Sequence, residues 1–257
     1  MPGRRLGEPG VLRARALGSE VATGWVEGST FDRNHFGAYT YGTSGMMWKD
    51  NLFTQNEVYG LDPHDDSNNA MVVGNRFLYN GKHGFIVSKR CNYNVIQNNT
   101  SVGNKLHGYM LHQDSAYNLI ENNVAYDNKG DNFAIYESNW NTIRGNKSYL
   151  SHKAHVRLSS GSHNNYIVDN NFYGGKKGIY VYEKSSATYI AGNEFNDMSR
   201  PLQTKDADNT VYARNTSKYF KYDIQPGDKV IFGPNRIRKA VDEVPDRAEI
   251  VSGDLAH

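Results

Sequence analysis

An asparagine that returns every 22 to 25 residues constrains this chain more than any other feature. Asn51, Asn75, Asn99, Asn123, Asn146, Asn171, Asn193 and Asn215 are separated by 24, 24, 24, 23, 25, 22 and 22 positions. Three residues before most of them stands an aliphatic: Val72, Ile96, Ile120, Ile143, Val168 and Ile190. Nine after the first three comes a glycine: Gly60, Gly84 and Gly108. A short strand follows, as in Gly84-Phe85-Ile86-Val87-Ser88 and Gly178-Ile179-Tyr180-Val181-Tyr182. A period of this length, with two or three short strands per repeat and no 3.6-residue pattern, predicts an all-β parallel β-helix. Leucine-rich repeats share the period but need leucines that this chain lacks. The asparagines are expected to stack as a ladder of side-chain amides, a structural role.

At 257 residues the chain could hold one large domain or two small ones, and the repeat decides for one. Residues 25–216 are read as the β-helix. Residues 1–24 are a leader or end cap, in which Val11 to Val21 suits a helix lying over the open first coil. Residues 217–257 are a closing strand and a charged tail. The 25 glycines and 18 tyrosines, with only 38% hydrophobic residues, suit a turn-rich solenoid. A net charge of +2 demands no nucleic acid, so a polyanionic partner would have to be met by local lysines and arginines. Cys91, the single cysteine, excludes an intrachain disulfide and a cysteine-built zinc site. No run approaches a membrane span, and the basic start lacks the apolar run of a signal peptide.

Because successive strand residues face opposite ways, the period assigns columns. Leu61, Phe85, Tyr109, Phe133, Val156 and Ile179, with Pro63, Val87, Leu111, Ile135, Leu158 and Val181, are expected to point inward. Three outward columns follow. One runs Tyr39, Asp62, Ile86, Met110, Ala134, Arg157, Tyr180, and the next Tyr41, His64, Ser88, His112, Tyr136, Ser159, Tyr182. The third runs Thr43, Asp66, Arg90, Asp114, Ser138, Gly161, Lys184, and Tyr59, His83, His107 and Asp131 edge the same face. A face of seven or so rungs, spaced about 4.7–4.9 Å, is a groove offering roughly one rung per sugar of an extended polysaccharide. Its tyrosines can pack on sugar rings.

Within this groove Asp62 and His64 share a face, and Arg90 lies one rung along between Asp66 and Asp114. A histidine held by a carboxylate accepts protons near neutral pH. An arginine beside it can take a substrate carboxylate in two hydrogen bonds. The set suits removal of a proton α to a carboxylate, the arginine offsetting the charge that develops. Tyr59, at the edge, could exchange a proton from another direction. Asp66, His83, His107, His112, Asp114, Tyr136, Arg157, Tyr180 and Tyr182 are the expected substrate-binding positions. The bland readings are a surface charge ladder at Arg90, a solvated His64, a calcium site at Asp62, Asp65 and Asp66, and a metal cluster at His83, His107 and His112. Stacking of like residues accounts for that last group, so no metal or cofactor is expected.

These residues bring in a family resemblance. Tyr59-Gly60-Leu61-Asp62-Pro63-His64-Asp65, with Gly81-Lys82-His83-Gly84 and Ser88-Lys89-Arg90 one coil later, resembles the signature of the mannuronan C5-epimerases, right-handed parallel β-helix enzymes that modify alginate. The likeness spans roughly residues 30–216 and is closest to the periplasmic bacterial type. It implies a right-handed helix acting on poly-mannuronate outside the cytoplasm, with His64 as the base at C5 and Arg90 neutralising the carboxylate. It also implies that Asp62 positions the histidine and that Tyr59 is an acid or base. A polyuronate lyase, which shares the first half-reaction, and a non-catalytic polysaccharide-binding β-helix are the alternatives.

Overall fold

The computed structural model describes residues 22–218, 221–237 and 247–252; the helix-compatible stretch before residue 22 lies outside them. The chain winds as a right-handed parallel β-helix, and its strands stack into three parallel sheets of ten, ten and nine strands. One coil shows the plan: Met71–Val73 in the first sheet, Arg76–Leu78 in the second and Phe85–Ser88 in the third. The third, the groove sheet, runs from Ala38–Tyr41 to Asp223–Ile224.

Alternation places the core. Both inward columns are buried along the groove sheet, and Phe53, Phe77, Phe85, Tyr109, Phe133, Phe172 and Phe195 fill the interior as full side chains. Their rings stack between coils, Phe53 on Phe77 at 5.2 Å and Tyr109 on Phe133 at 5.1 Å between centroids. Each coil alone has too little apolar surface to form a core, so stacking supplies it.

Three ladders of buried asparagine hold the corners where the chain leaves one sheet for the next. In the first, Asn75 donates its backbone N–H (2.8 Å) and its amide Nδ2 (3.0 Å) to Asn99 Oδ1, and Asn99 Nδ2 returns a bond of 2.8 Å to the Val72 carbonyl. The same pattern links Asn56, Asn80, Asn104 and Asn128 at a second corner, and Asn94, Asn118, Asn141 and Asn165 at a third. A serine ladder through Ser67, Ser115, Ser138, Ser162 and Ser185 also lies inside. Corner backbone groups would otherwise be buried without partners.

Register corrects four positions. The first ladder passes through Asn170, which accepts from Asn146 N–H at 2.9 Å, and the aliphatic three before it is the fully buried Ile167; Asn171 and Val168 stand one place off. The two adjacent asparagines are indistinguishable by type, and only the buried one can close the ladder. Thr43 and Ser138 do not stand in the outward column with Arg90. Both are buried, because the turns after Tyr41 and Tyr136 are one residue shorter and rotate them inward.

The coil also continues past residue 216. Strands Asp223–Ile224, Val230–Phe232 and Arg236–Ile237 add a rung to each sheet, and Asn235 Oδ1 extends the ladder to Asn215 N–H at 2.9 Å. The short helix Arg247–Ser252 then lays Ile250, 3% exposed, against Leu78, Val102 and Tyr126.

Two glycines show how tightly the coils approach. A Cβ on Gly60 would sit 2.4 Å from the Gly84 carbonyl oxygen, and Gly74, at φ +69°, would place one 2.1 Å from Asp50 Oδ1.

Candidate active site

The outer surface of the groove sheet has a dry floor. Ile86, Met110 and Ala134 point away from the core yet are 2%, 7% and 1% exposed, because Tyr59 and Tyr136 lean over them from the two edges. Polar side chains gather at both ends of this floor.

At one end lies the strand Leu61–His64, whose ladder to Phe85–Ser88 pairs Leu61 with Phe85 and His64 with Ser88. Pro63 between them has no N–H to donate, an unusual residue for an interior strand. His64 Nδ1 lies 2.6 Å from Asp65 Oδ2. If Nδ1 carries the proton it donates to that carboxylate, and Nε2 keeps a lone pair. Asp65 is therefore the carboxylate on the histidine, where Asp62 was expected. The reason is local: the strand ends at His64, and Asp65 adopts φ 36°, which swings its side chain out of strand alternation and back to the imidazole. An Asp directly after the His was visible in the sequence, but alternation argued against it.

Asp62 is 2% exposed, and its Oδ1 is buried with no hydrogen-bond partner. Burial pushes its carboxyl well above the usual range, against the opposing effect of a hydrogen bond with Ser88. Tyr39, from the preceding coil, packs its ring against His64 at 5.2 Å between centroids. Burial, with Asp62 and Asp65 adding to it, pushes the Tyr39 phenol up to about 12. Tyr59 is half-buried and stacked on His83 at 5.1 Å, its phenol raised by burial and by Asp62. Both tyrosines hold their protons at neutral pH. Tyr39 was placed in the right column but not singled out, since nothing local distinguishes it from other tyrosines.

Arg90 stands on the turn at φ 60°. It donates from Nε (3.0 Å) and Nη2 (2.9 Å) to Asp66, and Nη2 lies 3.4 Å from Asp65 Oδ1. This joins His64, Asp65, Arg90 and Asp66 in one chain, while Arg90 Nη1 takes no part in these bonds. The guanidinium holds the Asp66 carboxyl below the usual range. Asp114, one rung further, is exposed and is not hydrogen-bonded to Arg90.

His83 and His107 differ from the open substrate contacts expected of them. Both are buried, at 5% and 6%, with rings stacked at 4.9 Å. His83 Nδ1 accepts the His107 N–H at 3.3 Å, His107 Nδ1 accepts the Asp131 N–H at 2.9 Å, and Asp131 Oδ1 accepts the Ala154 N–H at 3.0 Å. This edge column satisfies the backbone as the asparagines do. Burial pushes His83 well below its ordinary value and His107 to about 3, with Arg157 and Lys153 adding to the shift at His107. His112 is half-buried against Tyr136, 5.2 Å between centroids, and is also lowered by burial.

The far end centres on Arg157. Its Nε donates to Asp131 Oδ2 at 2.6 Å, Nη1 to Ser159 Oγ at 2.5 Å, and Nη2 lies 3.2 Å from His107 Nε2. Tyr180 and Tyr182 stack face to face beside it at 4.4 Å. The groove thus brings the expected residues together in two groups four coils apart rather than in one.

The chain is similar to several known proteins. A family model described as periplasmic copper-binding protein (NosD) matches residues 80–229, and one described as right handed beta helix region matches residues 13–115. A mannuronan C5-epimerase of Pseudomonas putida is 35% identical over 146 residues, 56% of this chain and 28% of that protein. One from Pseudomonas fluorescens is 37% identical over 172 residues, 66% of this chain and 32% of that protein. The crystal structure of the periplasmic alginate epimerase AlgG superposes with a TM-score of 0.68 at 26% identity, covering 84% of this chain and 50% of that one. The chain therefore spans about a third of these curated relatives and half of the solved one.

The family description names copper, and the donor geometry here does not suit it. Among the described residues no three of His, Cys, Asp and Glu converge as metal ligands. Cys91 is enclosed in the core, and His83 and His107 turn their Nδ1 lone pairs to the backbone.

Proposed function

The chain belongs to the family described as periplasmic copper-binding protein (NosD) and to the mannuronan C5-epimerase family, and from that premise we propose that it inverts C5 of mannuronate residues within an intact polyuronate chain. The observation that carries this reading is the His64–Asp65 pair at 2.6 Å in a long groove, with Arg90 tied to the same carboxylate.

In this reading His64 Nε2 removes the C5 proton while Asp65 fixes the tautomer and stabilises the imidazolium that forms. Arg90 Nη1, left outside the bonds to Asp66 and Asp65, donates to the uronate carboxylate as charge moves onto it. Asp62, whose buried Oδ1 has no hydrogen-bond partner, lies beneath the same strand face, and burial favours its protonated form. Tyr59, protonated at neutral pH, or a water beside it, returns the proton to the opposite face, giving guluronate with the polymer bonds intact. Copper takes no step. The remaining groove positions, Asp66, His112, Asp114, Tyr136, Arg157, Tyr180 and Tyr182, line the path of an alginate-like polyanion. AlgG is periplasmic, and the same setting is part of this proposal; no described helix is long and apolar enough to cross a membrane.

The test is incubation with poly-mannuronate in heavy water, followed by NMR. Deuterium at C5 of new guluronate is the expected result. No incorporation by a folded sample overturns the reading, and ultraviolet absorbance from an unsaturated uronate end assigns the protein to a lyase.

A further inference from the structure

Asp65 holds His64 by a single bond at Nδ1, and one bond does not fix the plane of the ring. The torsion that turns an imidazole about its Cβ is broad and roughly two-fold, so the ring can turn over and present carbon where Nδ1 stood. The carboxylate is also shared. Arg90 Nη2 lies 3.4 Å from Asp65 Oδ1, and Lys89 Nζ lies 3.9 Å from Oδ2. A base acting at one carbon needs Nε2 aimed the same way at every turnover, because small misplacements of a reacting group cost rate steeply.

The residues directly beside His64 in the sheet do not wall the ring. On the following coil it faces Ser88, whose side chain is too short to cover an imidazole. On the preceding coil it faces Tyr41, which is 57% exposed. The wall comes from the diagonal neighbour. Tyr39 stands on the same face two residues before Tyr41, opposite Asp62 in register, and its ring lies 5.2 Å from the imidazole at an interplanar angle of 34°. This ring is braced in turn. Phe36 lies 6.2 Å from Tyr39 and 5.5 Å from Tyr59, which joins the Tyr39 ring to the half-buried tyrosine at the edge. Ala38 and Thr40, on either side of Tyr39 in its strand, are buried and anchor the backbone beneath it. An imidazole packed against a braced ring cannot turn over without displacing it.

We infer that Tyr39 is a positioning residue for His64, its ring keeping the imidazole in one plane with Nδ1 on Asp65 and Nε2 open to the groove. The ring performs this role rather than the hydroxyl, and it acts through the histidine rather than on the sugar. The inference rests on the proposed function for its effect on rate, whereas its effect on the imidazole exists without substrate.

The experiment has two arms, both on the full chain. Nitrogen NMR of histidine-labelled protein without substrate reads the tautomer of His64, whose signals are assigned by their loss in His64→Gln. C5 exchange into poly-mannuronate in heavy water, measured against polymer concentration, gives kcat and KM. Wild type and Tyr39→Phe are expected to show His64 as the Nδ1-protonated tautomer, and Tyr39→Ala a mixture of the two neutral tautomers. Tyr39→Ala should lower kcat about tenfold with KM within about twofold, while Tyr39→Phe retains at least about half of kcat. An unchanged melting temperature verifies the fold, and Tyr39→Thr, which suits a strand, takes the place of an alanine variant that does not fold. A His64 spectrum that ignores loss of the ring overturns the inference. So does a Tyr39→Phe loss as large as that of Tyr39→Ala, which would place the role in the hydroxyl, or a rise in KM with kcat unchanged, which would make the ring a sugar contact. A tautomer mixture in Tyr39→Ala with no C5 exchange in the wild type removes the reaction and leaves the positioning role. C5 exchange with an unmoved His64 spectrum does the reverse.

Discussion

Two arginines face the same groove under opposite conditions. The Arg90 side chain is 53% exposed and pairs with Asp66, itself 56% exposed, whereas Arg157 is 14% exposed and pairs with Asp131 at 2%. Solvent and salt screen the first pair, so it contributes little to stability, and a substrate carboxylate can share its guanidinium at small cost. The second pair is largely buried, so removing one partner leaves the other charge without compensation. Position on the turn leaves Arg90 open to solvent and to a ligand, and position in mid-strand makes Arg157 part of the groove wall.

The largest expected effect lies at the reactive end. His64→Gln should lower C5 exchange by about 10²–10⁴-fold, the usual contribution of a general base, with no change in melting temperature. Next comes the buried arginine: Arg157→Leu leaves Asp131 buried and uncompensated and should cost about 3–5 kcal/mol of stability in denaturant unfolding. Arg90→Leu should leave the melting temperature unchanged and reduce turnover instead. Equal stability losses at the two arginines would break the comparison.

Asp65→Asn sharpens the reactive end further. Losing a charge-assisted hydrogen bond of about 1.5–3 kcal/mol corresponds to about 10- to 100-fold in kcat, with a shifted pH–rate profile. If Asp62→Asn moved that profile and Asp65→Asn did not, the histidine's partner would be Asp62 after all.

The smallest effect is a slope with pH. His107, pushed to about 3, and His155, pushed to about 4 by burial, stay neutral in the fold while the unfolded chain protonates its histidines below about 6.5. The unfolded state therefore binds more protons between about pH 6.5 and 4, and stability falls as pH drops through that window by about 1.4 kcal/mol per unit for each imidazole. Buried Asp62 acts in the opposite sense, since its raised value favours the protonated fold as pH falls. Melting temperatures of wild type and His155→Asn at pH 7, 6 and 5 read the slope, and the variant should be flatter.

Much of the architecture was legible because a solenoid repeats its own constraints. Every coil must place an asparagine amide at the same corner and apolar residues on the same inward positions, so Asn75, Asn99 and Asn123 announce one another. Errors arose where a coil changed length. Asn170 and Asn171 are interchangeable by residue type, and the one-residue-shorter turns at Thr43 and Ser138 move those side chains from the surface to the interior. The two further asparagine ladders were equally regular in the sequence, but the first period masked them.

The sequence by itself determined the parallel β-helix and the two inward columns, because strand alternation and a fixed period follow from covalent geometry. It also determined that His64 and Arg90 lie near each other. Only the tertiary structure decided which groups touch. Asp65 replaced Asp62 as the partner of His64 because a left-handed turn residue escapes alternation. His83 and His107 became backbone acceptors, and Asp62 a buried acid, because the depth of burial depends on how side chains from neighbouring coils lean together. The distance between the two arginine sites is likewise a count of stacked coils, a quantity that exists only once the chain has wound upon itself.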